Sequence, residues 1–217
     1  MTELLLERVD DLHVIELDRD LVEFLGTRYR SRPNLVVHQA DALAFDFTSL
    51  CANGRLRLIG NLPYNISTPL VFHLLGSADR IEDMYFMLQK EVSDRLSAVP
   101  GTKRYGRLSV AVQYRCRVEK LFDVSPEAFM PPPKVQSSVV RLVPHAVAPW
   151  PATDMTRFQT LVRTAFSHRR KTLRKALAGV VTRTDFDTAG IDPRQRPEQL
   201  EVADFVRLSN AVGEREV

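Results

Sequence analysis

Strand-like and helix-like segments alternate along the first half of the chain, and this alternation limits the fold more than any other feature. Short apolar, β-rich runs are each followed by apolar residues at helical spacing, at intervals of roughly 20 to 25 residues. The predicted strands span residues 12–17, 35–39, 55–59 and 83–89. Parallel strands need a crossover connection, which is usually a helix. The order therefore predicts an α/β fold with a parallel, doubly wound sheet.

The second half of the chain changes character. Two more strands, at residues 115–124 and 137–143, are separated by a proline-rich segment without a helix, which predicts an antiparallel end to the sheet. Residues 146–151 break both periods and are typical of a linker. Helical spacing follows, at residues 155–167, 171–181 and 202–212. We therefore predict an α/β domain at residues 1–147 and a small helical domain at residues 148–217.

Composition excludes several classes of protein. The 217 residues are 44% hydrophobic and 26% charged, with a net charge of +3, which is typical of a globular protein. No apolar run approaches the ~20 residues of a membrane span, and no signal-peptide pattern is present. Cys51 and Cys116 are the only cysteines and lack the spacing of a metal site or a disulfide framework. We expect a cytoplasmic protein without a metal ion.

Residues 60–69 follow the third predicted strand, at the end where open α/β sheets place their ligands. Pro63 restricts Leu62 to an extended conformation, so the Leu62 carbonyl has a fixed direction beside the Asn61 side-chain oxygen. Two acceptors that converge in this way match an exocyclic amine, and Tyr64 offers a flat face for a base. The alternative is a strand-to-helix turn that uses asparagine and proline only for shape.

Five segments, in order, resemble the KsgA/Dim-type small-subunit rRNA adenine dimethyltransferases. Gly-Asn-Leu-Pro-Tyr-Asn-Ile-Ser-Thr-Pro at residues 60–69 resembles their catalytic motif, and the resemblance runs from about residue 5 to the C-terminus. It implies a class I methyltransferase (Rossmann-like) fold and S-adenosylmethionine as cofactor. The other four segments are Val-Ile-Glu-Leu-Asp at 14–18, Gln-Ala-Asp-Ala-Leu at 39–43, Phe-Met-Pro-Pro-Pro-Lys-Val-Gln-Ser at 129–137 and Phe-Ser-His-Arg-Arg-Lys-Thr-Leu at 166–173.

The resemblance also implies roles for individual residues. Tyr64 and Phe129 would sandwich the target adenine, while the Asn61 side chain and the Leu62 carbonyl accept hydrogen bonds from its amine. Glu16 would bind the ribose of the cofactor, and Asp41 its adenine. The implied catalytic residues are Asn61, Leu62, Pro63, Tyr64 and Phe129, and the implied cofactor-binding residues are Glu16, Leu17, Asp41, Ala42 and Asn61.

Residues 155–184 include eight arginines and lysines and no acid. A run of charge is often a solvated helix face, but a long stretch without counter-charge is better explained by a polyanion. We expect contact with an RNA backbone here, and the resemblance implies that the partner is small-subunit rRNA in an immature 30S-type subunit. The predicted RNA-binding residues are Lys103, Arg104, Arg107, Lys134, Arg163, Arg169, Arg170, Lys171, Arg174 and Lys175.

One departure from the family pattern is large. Class I methyltransferases start with a strand and a glycine-rich loop that lets the backbone approach the cofactor, and this sequence has neither. In the family's strand order, the missing strand would lie between the first and third predicted strands of this chain. We therefore expect an N-terminally shortened chain with two unpaired strand edges and poor affinity for the cofactor.

Two other functions stay open at this point. Loops of the Asn-Leu-Pro-Tyr type serve several N6 methyltransferases, so the substrate could be a large-subunit rRNA adenine or DNA. The shortened chain could also be a non-catalytic RNA-binding or ribosome-assembly factor. A methyl-transfer assay with and without added N-terminal residues distinguishes the enzyme from this last alternative.

Overall fold

A computed structural model describes residues 1–51 and 54–214, with the side chains of residues 213 and 214 left out. Residues 215–217 of the predicted helical domain lie outside the described residues. The strands are β1 (Leu12–Glu16), β2 (Leu35–Gln39), β3 (Leu56–Asn61), β4 (Ile81–Gln89), β5 (Cys116–Val124) and β6 (Ser137–Pro144). The α-helices are α1 (Thr2–Leu6), α2 (Arg19–Arg28), α3 (Ser67–Leu75), α4 (Lys90–Leu96), α5 (Arg107–Arg115), α6 (Met155–Ser167), α7 (Leu173–Ala176), α8 (Arg183–Ala189) and α9 (Val202–Glu214).

The strands form two sheets. β1 pairs with β2 in parallel, and a second sheet has the order β3-β4-β6-β5. In this second sheet β3 and β4 are parallel, whereas β6 runs antiparallel to both β4 and β5. The predicted parallel arrangement and antiparallel end are both confirmed.

The interruption between the sheets lies where the sequence predicted a missing strand. Within residues 1–51 and 54–214, β1 pairs only with β2 and β3 pairs only with β4. All five residues of β1 are only partly buried, whereas β4 is largely buried. On β3, the side chain of Ile59 is 42% exposed. One edge of each sheet is therefore unpaired along a strand that leads to the predicted site.

Both sheets nevertheless pack against one hydrophobic core. Met84 and Leu88 of β4 are fully buried in it, together with Val71 of α3. Ile15 of β1 and Leu43, which follows β2, pack against the same cluster. These contacts explain why β1 and β2 stay associated with the larger sheet without strand pairing.

The C-terminal helices form a second core that includes part of the α/β unit. Tyr105 and Tyr114 share this core with Phe158 of α6 and Phe205 of α9. The rings of Tyr114 and Phe158 lie 4.6 Å apart. The segment around α5 thus connects the α/β unit to the helical unit, and the domain boundary at residues 147/148 stays a prediction.

Two local features differ from the predictions. The helix predicted at residues 171–181 is reduced to α7, which ends where Leu177 leaves helical geometry at φ −106° and ψ 18°; Gly179, at a φ of +81°, prevents the helix from resuming. Helix α8, which was not predicted, starts with a capping box between Thr182 and Asp185.

Candidate active site

Packing and backbone hydrogen bonds hold several residues at and after the end of β3. The Leu62 amide donates to the Met87 carbonyl at 3.3 Å, and the Leu62 side chain is buried. A Cβ at Gly60 would lie 2.8 Å from Leu62 Cδ2, so a larger residue there would displace the Leu62 side chain. The Ile66 amide closes a turn on the Pro63 carbonyl at 3.1 Å. The turn geometry is therefore determined by packing as well as by the proline.

The position of Asn61 differs slightly from the prediction. Asn61 is the last residue of β3 rather than the first residue of a turn. Ser67 is the first residue of α3, and its hydroxyl donates to the Tyr64 carbonyl at 3.0 Å. The Ser67 hydroxyl thus stabilises the loop rather than the helix end.

Two oxygen acceptors at the end of β3 have no hydrogen-bond partner among the described residues. The Asn61 side chain is exposed, and it makes no hydrogen bond with any other residue that the structure describes. The Leu62 carbonyl likewise accepts no hydrogen bond from the described residues. Pro63 follows directly and is exposed. Adjacent free acceptors on a rigid strand end suit a ligand with two N–H donors.

Tyr64 is held from its far end. Its side chain is half-buried, and its hydroxyl lies 2.9 Å from Ser137 Oγ. Ser137 is the first residue of β6, which lies beyond β4 in the sheet. The Tyr64 side chain therefore extends across the carboxyl end of β4.

Phe129 lies at the same edge of the sheet. Residues 125–136 connect the end of β5 to the start of β6, where Val124 pairs with Ser137. The Phe129 amide donates to the Pro126 carbonyl at 3.1 Å, and the Phe129 ring is half-buried. Among the described residues no ring contact joins Phe129 and Tyr64.

The predicted cofactor acids lie at the ends of neighbouring strands. Glu16 is the last residue of β1, and its Oε1 accepts from the Asp18 amide at 2.9 Å. Asp41 follows β2, and its Oδ1 accepts from the Leu43 amide at 2.9 Å. The Ala40 amide donates to the Glu16 carbonyl at 3.0 Å and so joins the two strand ends. Each carboxylate keeps one oxygen free of hydrogen bonds to the described residues.

Packing brings these acids toward the loop after β3. Ala42 and Leu43 pack against the buried cluster that includes Leu62. His73 of α3 lies 2.9 Å from the Phe45 carbonyl, which fixes α3 against the segment after β2. Leu17, the remaining predicted cofactor residue, is 66% exposed.

Comparison with known proteins decides the family. The family model for ribosomal RNA adenine dimethylases matches residues 1–214. The chain belongs to this family. Curated relatives are named ribosomal RNA small subunit methyltransferase A: that of Marinobacter nauticus is 54% identical over 94% of this chain and 74% of its own length. That of Laribacter hongkongensis is 54% identical over 99% of this chain and 82% of its own length.

Solved structures agree with the dimethylase family. A dimethyladenosine transferase from Plasmodium falciparum has a TM-score of 0.79 at 26% identity, over 95% of this chain and 83% of that one. The 23S rRNA methyltransferase ErmE has a TM-score of 0.75 at 22% identity, over 98% of this chain and 86% of that one. The second comparison concerns the fold alone. The fold is the Rossmann-like methyltransferase fold, interrupted between β1 and β3, with a helical C-terminal part.

The basic residues of this dimethylase divide into two groups. Arg104 lies 2.9 Å from Asp94, and Arg169 lies 3.9 Å from Glu198, so both have carboxylate neighbours. The other predicted RNA-binding residues are exposed and form no ion pair with the residues that the structure describes. These are Lys103, Arg107, Lys134, Arg163, Arg170, Lys171, Arg174 and Lys175.

The acid-free stretch of residues 155–184 receives some counter-charge from its borders. Asp154 lies 3.8 Å from Arg157, and Asp187 lies 3.0 Å from Arg183. Both acids lie just outside the stretch and were therefore missed when its residues were considered alone. The remaining free cations concentrate between α6 and the end of α7.

An ionic cluster beside the site was also missed. Asp123 accepts from Lys120 at 2.8 Å, from Lys90 and from the Ser138 hydroxyl at 2.6 Å. These hydrogen bonds, that from Lys120 first, hold the pKa of Asp123 well below its usual range. Only the tertiary structure brings these partners together, because Lys90 is the first residue of α4 whereas Asp123 lies on β5. The cluster joins the start of α4 to the end of β5.

The described residues contain neither a metal-binding cluster nor a membrane-spanning helix. The described residues contain no group of three or more histidines, cysteines and acids that could bind a metal ion. None of the described helices is both long enough and apolar enough to cross a bilayer. Cys116 is buried, and burial raises the pKa of its thiol to about 12.

Proposed function

We propose that this chain transfers methyl groups from S-adenosylmethionine to N6 of two adjacent adenines in a hairpin loop of small-subunit rRNA. The observation that supports this most directly is the pair of free acceptors, the Asn61 side chain and the Leu62 carbonyl, next to an immobilised tyrosine ring. Relatives 54% identical to this chain have the name small subunit methyltransferase, which supports the choice of rRNA.

Asn61 and Leu62 act by positioning. An adenine amine offers two N–H donors, and one donor would go to each acceptor. In that arrangement the nitrogen lone pair points away from both oxygens, toward an incoming methyl group. S-adenosylmethionine supplies this methyl group on a sulfonium when it is bound. Residues 60–69 contain no carboxylate or imidazole, so orientation rather than a general base promotes the transfer.

The residues present fit the adenosine half of the cofactor. Glu16 and Asp41 lie at adjacent strand ends, and each has an oxygen available after its hydrogen bond to the backbone. A carboxylate at such a strand end suits the hydroxyls of a ribose. Asp41 would then accept from the adenine amine of the cofactor, with Leu17 and Ala42 beside them.

The target adenine has to leave its stack before it can reach Asn61. Bases in RNA loops are the accessible ones, and extrusion of one base costs a few kcal/mol. Stacking between Tyr64 and Phe129 would offset this cost, since base–aromatic stacking contributes about 1–3 kcal/mol per base. The two aromatic side chains lie at one edge of the sheet, on the loops after β3 and β5.

The exposed cations give the RNA partner a second contact area. Arg163, Arg170, Lys171, Arg174 and Lys175 have no ion pair among the described residues, so their charges remain available to phosphates. We propose an immature small ribosomal subunit as the partner and the cytoplasm as the place of action, where such subunits are assembled.

The alternatives have less support. A large-subunit rRNA or DNA adenine would suit the same loop, but the curated relatives at 52–55% identity that cover this chain are small-subunit enzymes by name. A non-catalytic RNA-binding factor would not need two free acceptors at Asn61 and Leu62. A methyl-transfer assay decides between catalysis and binding alone.

The experiment compares Asn61→Ala with Asn65→Ala, a matched change of an exposed asparagine four residues further along, in the loop that follows β3. Transfer of labelled methyl groups to immature small subunits is measured with saturating S-adenosylmethionine, and RNA affinity is measured in parallel. We expect Asn61→Ala to abolish transfer with RNA affinity largely unchanged, and Asn65→Ala to keep both. Unchanged turnover in Asn61→Ala would remove this residue from the mechanism.

A further inference from the structure

The hydrogen bond between Tyr64 and Ser137 has a feature that stacking does not require. A ring that stacks on a base needs its face, not its hydroxyl, yet the Tyr64 hydroxyl lies 2.9 Å from Ser137 Oγ. We propose that Ser137 is a positioning residue that fixes the Tyr64 ring in the orientation that receives the target adenine. This inference rests on the proposed function and extends it to a residue outside the base-binding loop.

Ser137 itself is fixed by the sheet. It is the first residue of β6, with no exposed surface. It pairs with Gln89 of β4 on one side and with Val124 of β5 on the other. A hydroxyl on a strand that is paired on both sides has little freedom to move. It therefore provides a rigid reference point for a side chain on a neighbouring loop.

Tyr64 has the opposite character. It lies in the turn between β3 and α3, and its own backbone is held by Ser67 at the Tyr64 carbonyl. That contact fixes one end of the residue, and Ser137 fixes the other. With both ends fixed, the ring has one orientation across the carboxyl end of β4. Stacking then requires less ordering of the side chain when the base arrives.

The same contact joins the two aromatic positions. Ser137 directly follows the 125–136 segment that includes Phe129, so its hydroxyl connects the Phe129 segment to the Tyr64 loop. The two halves of the proposed base-binding site come from segments more than sixty residues apart in sequence. We expect the separation of the two rings to depend on this one hydrogen bond.

The test uses an RNA hairpin with the fluorescent adenine analogue 2-aminopurine at the target position. Its fluorescence reports extrusion and stacking, and anisotropy of an end label reports total RNA affinity. Ser137→Ala removes one hydrogen bond, so we expect it to weaken the stacking equilibrium about 2- to 10-fold. Total affinity, which depends mainly on phosphate contacts, should not change. Ser137→Thr retains the hydroxyl and should restore the signal.

Ser138→Ala is the matched control. Ser138 is equally buried on the same strand, but its hydroxyl donates to Asp123 at 2.6 Å instead of contacting Tyr64. We expect this variant to keep the wild-type stacking signal. An equal loss in Ser138→Ala and Ser137→Ala would mean that the effect is general to β6 and would overturn the proposal.

Tyr64→Phe removes the same hydrogen bond from the other side and decides the matter if Ser137→Ala does not fold. It should reproduce the loss, and the double variant should lose no more than either single variant. Wild-type signals in Ser137→Ala or in Tyr64→Phe would overturn the role of Ser137 alone. No 2-aminopurine signal from the unchanged chain would overturn the proposed function as well.

Discussion

Replacement of Asp83 tests how the sheet that supports the site is stabilised. The Asp83 carboxylate on β4 is fully buried and accepts hydrogen bonds from Arg57 of β3 and Arg141 of β6. The shortest contacts are 2.6 Å to Arg57 Nε and 2.9 Å to an Arg141 Nη nitrogen. The carboxylate thus joins β3, β4 and β6 near the end opposite Asn61. We expect Asp83→Asn to destabilise the fold.

The size of the effect follows from burial and charge. Asparagine keeps the shape but presents N–H donors to guanidinium donors, so about two charge-assisted hydrogen bonds are lost, each contributing about 1.5–3 kcal/mol. Arg57 is 53% exposed and can recover water, which favours the lower end of this range. We therefore expect a loss of about 3 kcal/mol in the free energy of unfolding.

Urea unfolding followed by circular dichroism measures this loss. With a slope of about 2 kcal/mol per molar urea, 3 kcal/mol lowers the midpoint by about 1.5 M. Glu82→Gln is the matched control, because Glu82 also contacts Arg57, at 3.2 Å, but is 59% exposed. It should change stability by less than about 1 kcal/mol. Equal midpoints for Asp83→Asn and Glu82→Gln would refute the reasoning.

The effect should also depend on pH. Burial opposes ionisation of Asp83, but the hydrogen bonds from Arg57 and Arg141 outweigh it and lower the pKa of the carboxyl. A lowered pKa in the folded state contributes stability above the unfolded pKa of about 3.9 and loses it as the pH falls through the folded pKa. The difference between wild type and Asp83→Asn should therefore stay constant from pH 7 to pH 5 and shrink at lower pH.

The remaining predictions concern the RNA and the cofactor. Replacing Arg170 and Lys171 with alanine should reduce the slope of log affinity against log salt by about 1.4 for single-stranded RNA. Arg183→Ala removes a cation that is already paired, so it should change this slope less. Anisotropy titrations at several salt concentrations compare these two variants with the wild type. Adding a strand and a glycine-rich loop to the N-terminus of the 217-residue chain should strengthen S-adenosylmethionine binding at least about tenfold, or 1.4 kcal/mol, because β1 and β3 each have an edge to which such a strand could pair. Calorimetry would contradict this expectation if an extension of equal length with strand-breaking prolines gave the same cofactor affinity as the strand-forming extension.

Much of the fold could be predicted because its signals are local. The strand predicted at residues 35–39 has the same bounds as β2, and the helix predicted at residues 155–167 has the same bounds as α6. Both have strong apolar periodicity between clear breakers. The helix predicted at residues 171–181 failed because helical geometry is lost at Leu177 and Gly179 prevents the helix from resuming. The signal for α8 was present in the Thr182–Asp185 capping box, but its short apolar pattern concealed it.

The site likewise has features that the sequence reveals and features that it does not. The Asn61 and Pro63 chemistry follows from neighbouring residues and was accessible in the sequence. Partners that act across the sheet were not, because no periodicity specifies which of several serines meets Tyr64. Ser137 lies 73 residues from Tyr64 in sequence. It became identifiable only through the strand order β3-β4-β6.

That strand order also explains how a gap in the sheet and a formed target site can coexist. The acceptors at Asn61 and the ring of Tyr64 depend on β3, β4 and β6, which are paired and cross-linked through Asp83 at one end and Ser137 at the other. The acids Glu16 and Asp41 depend on β1 and β2, which are attached through core packing and the His73–Phe45 contact rather than through strand pairing. Recognition of the target base should therefore tolerate the gap better than cofactor binding does. If extrusion of the target adenine and binding of the cofactor were equally weak, this division would be contradicted.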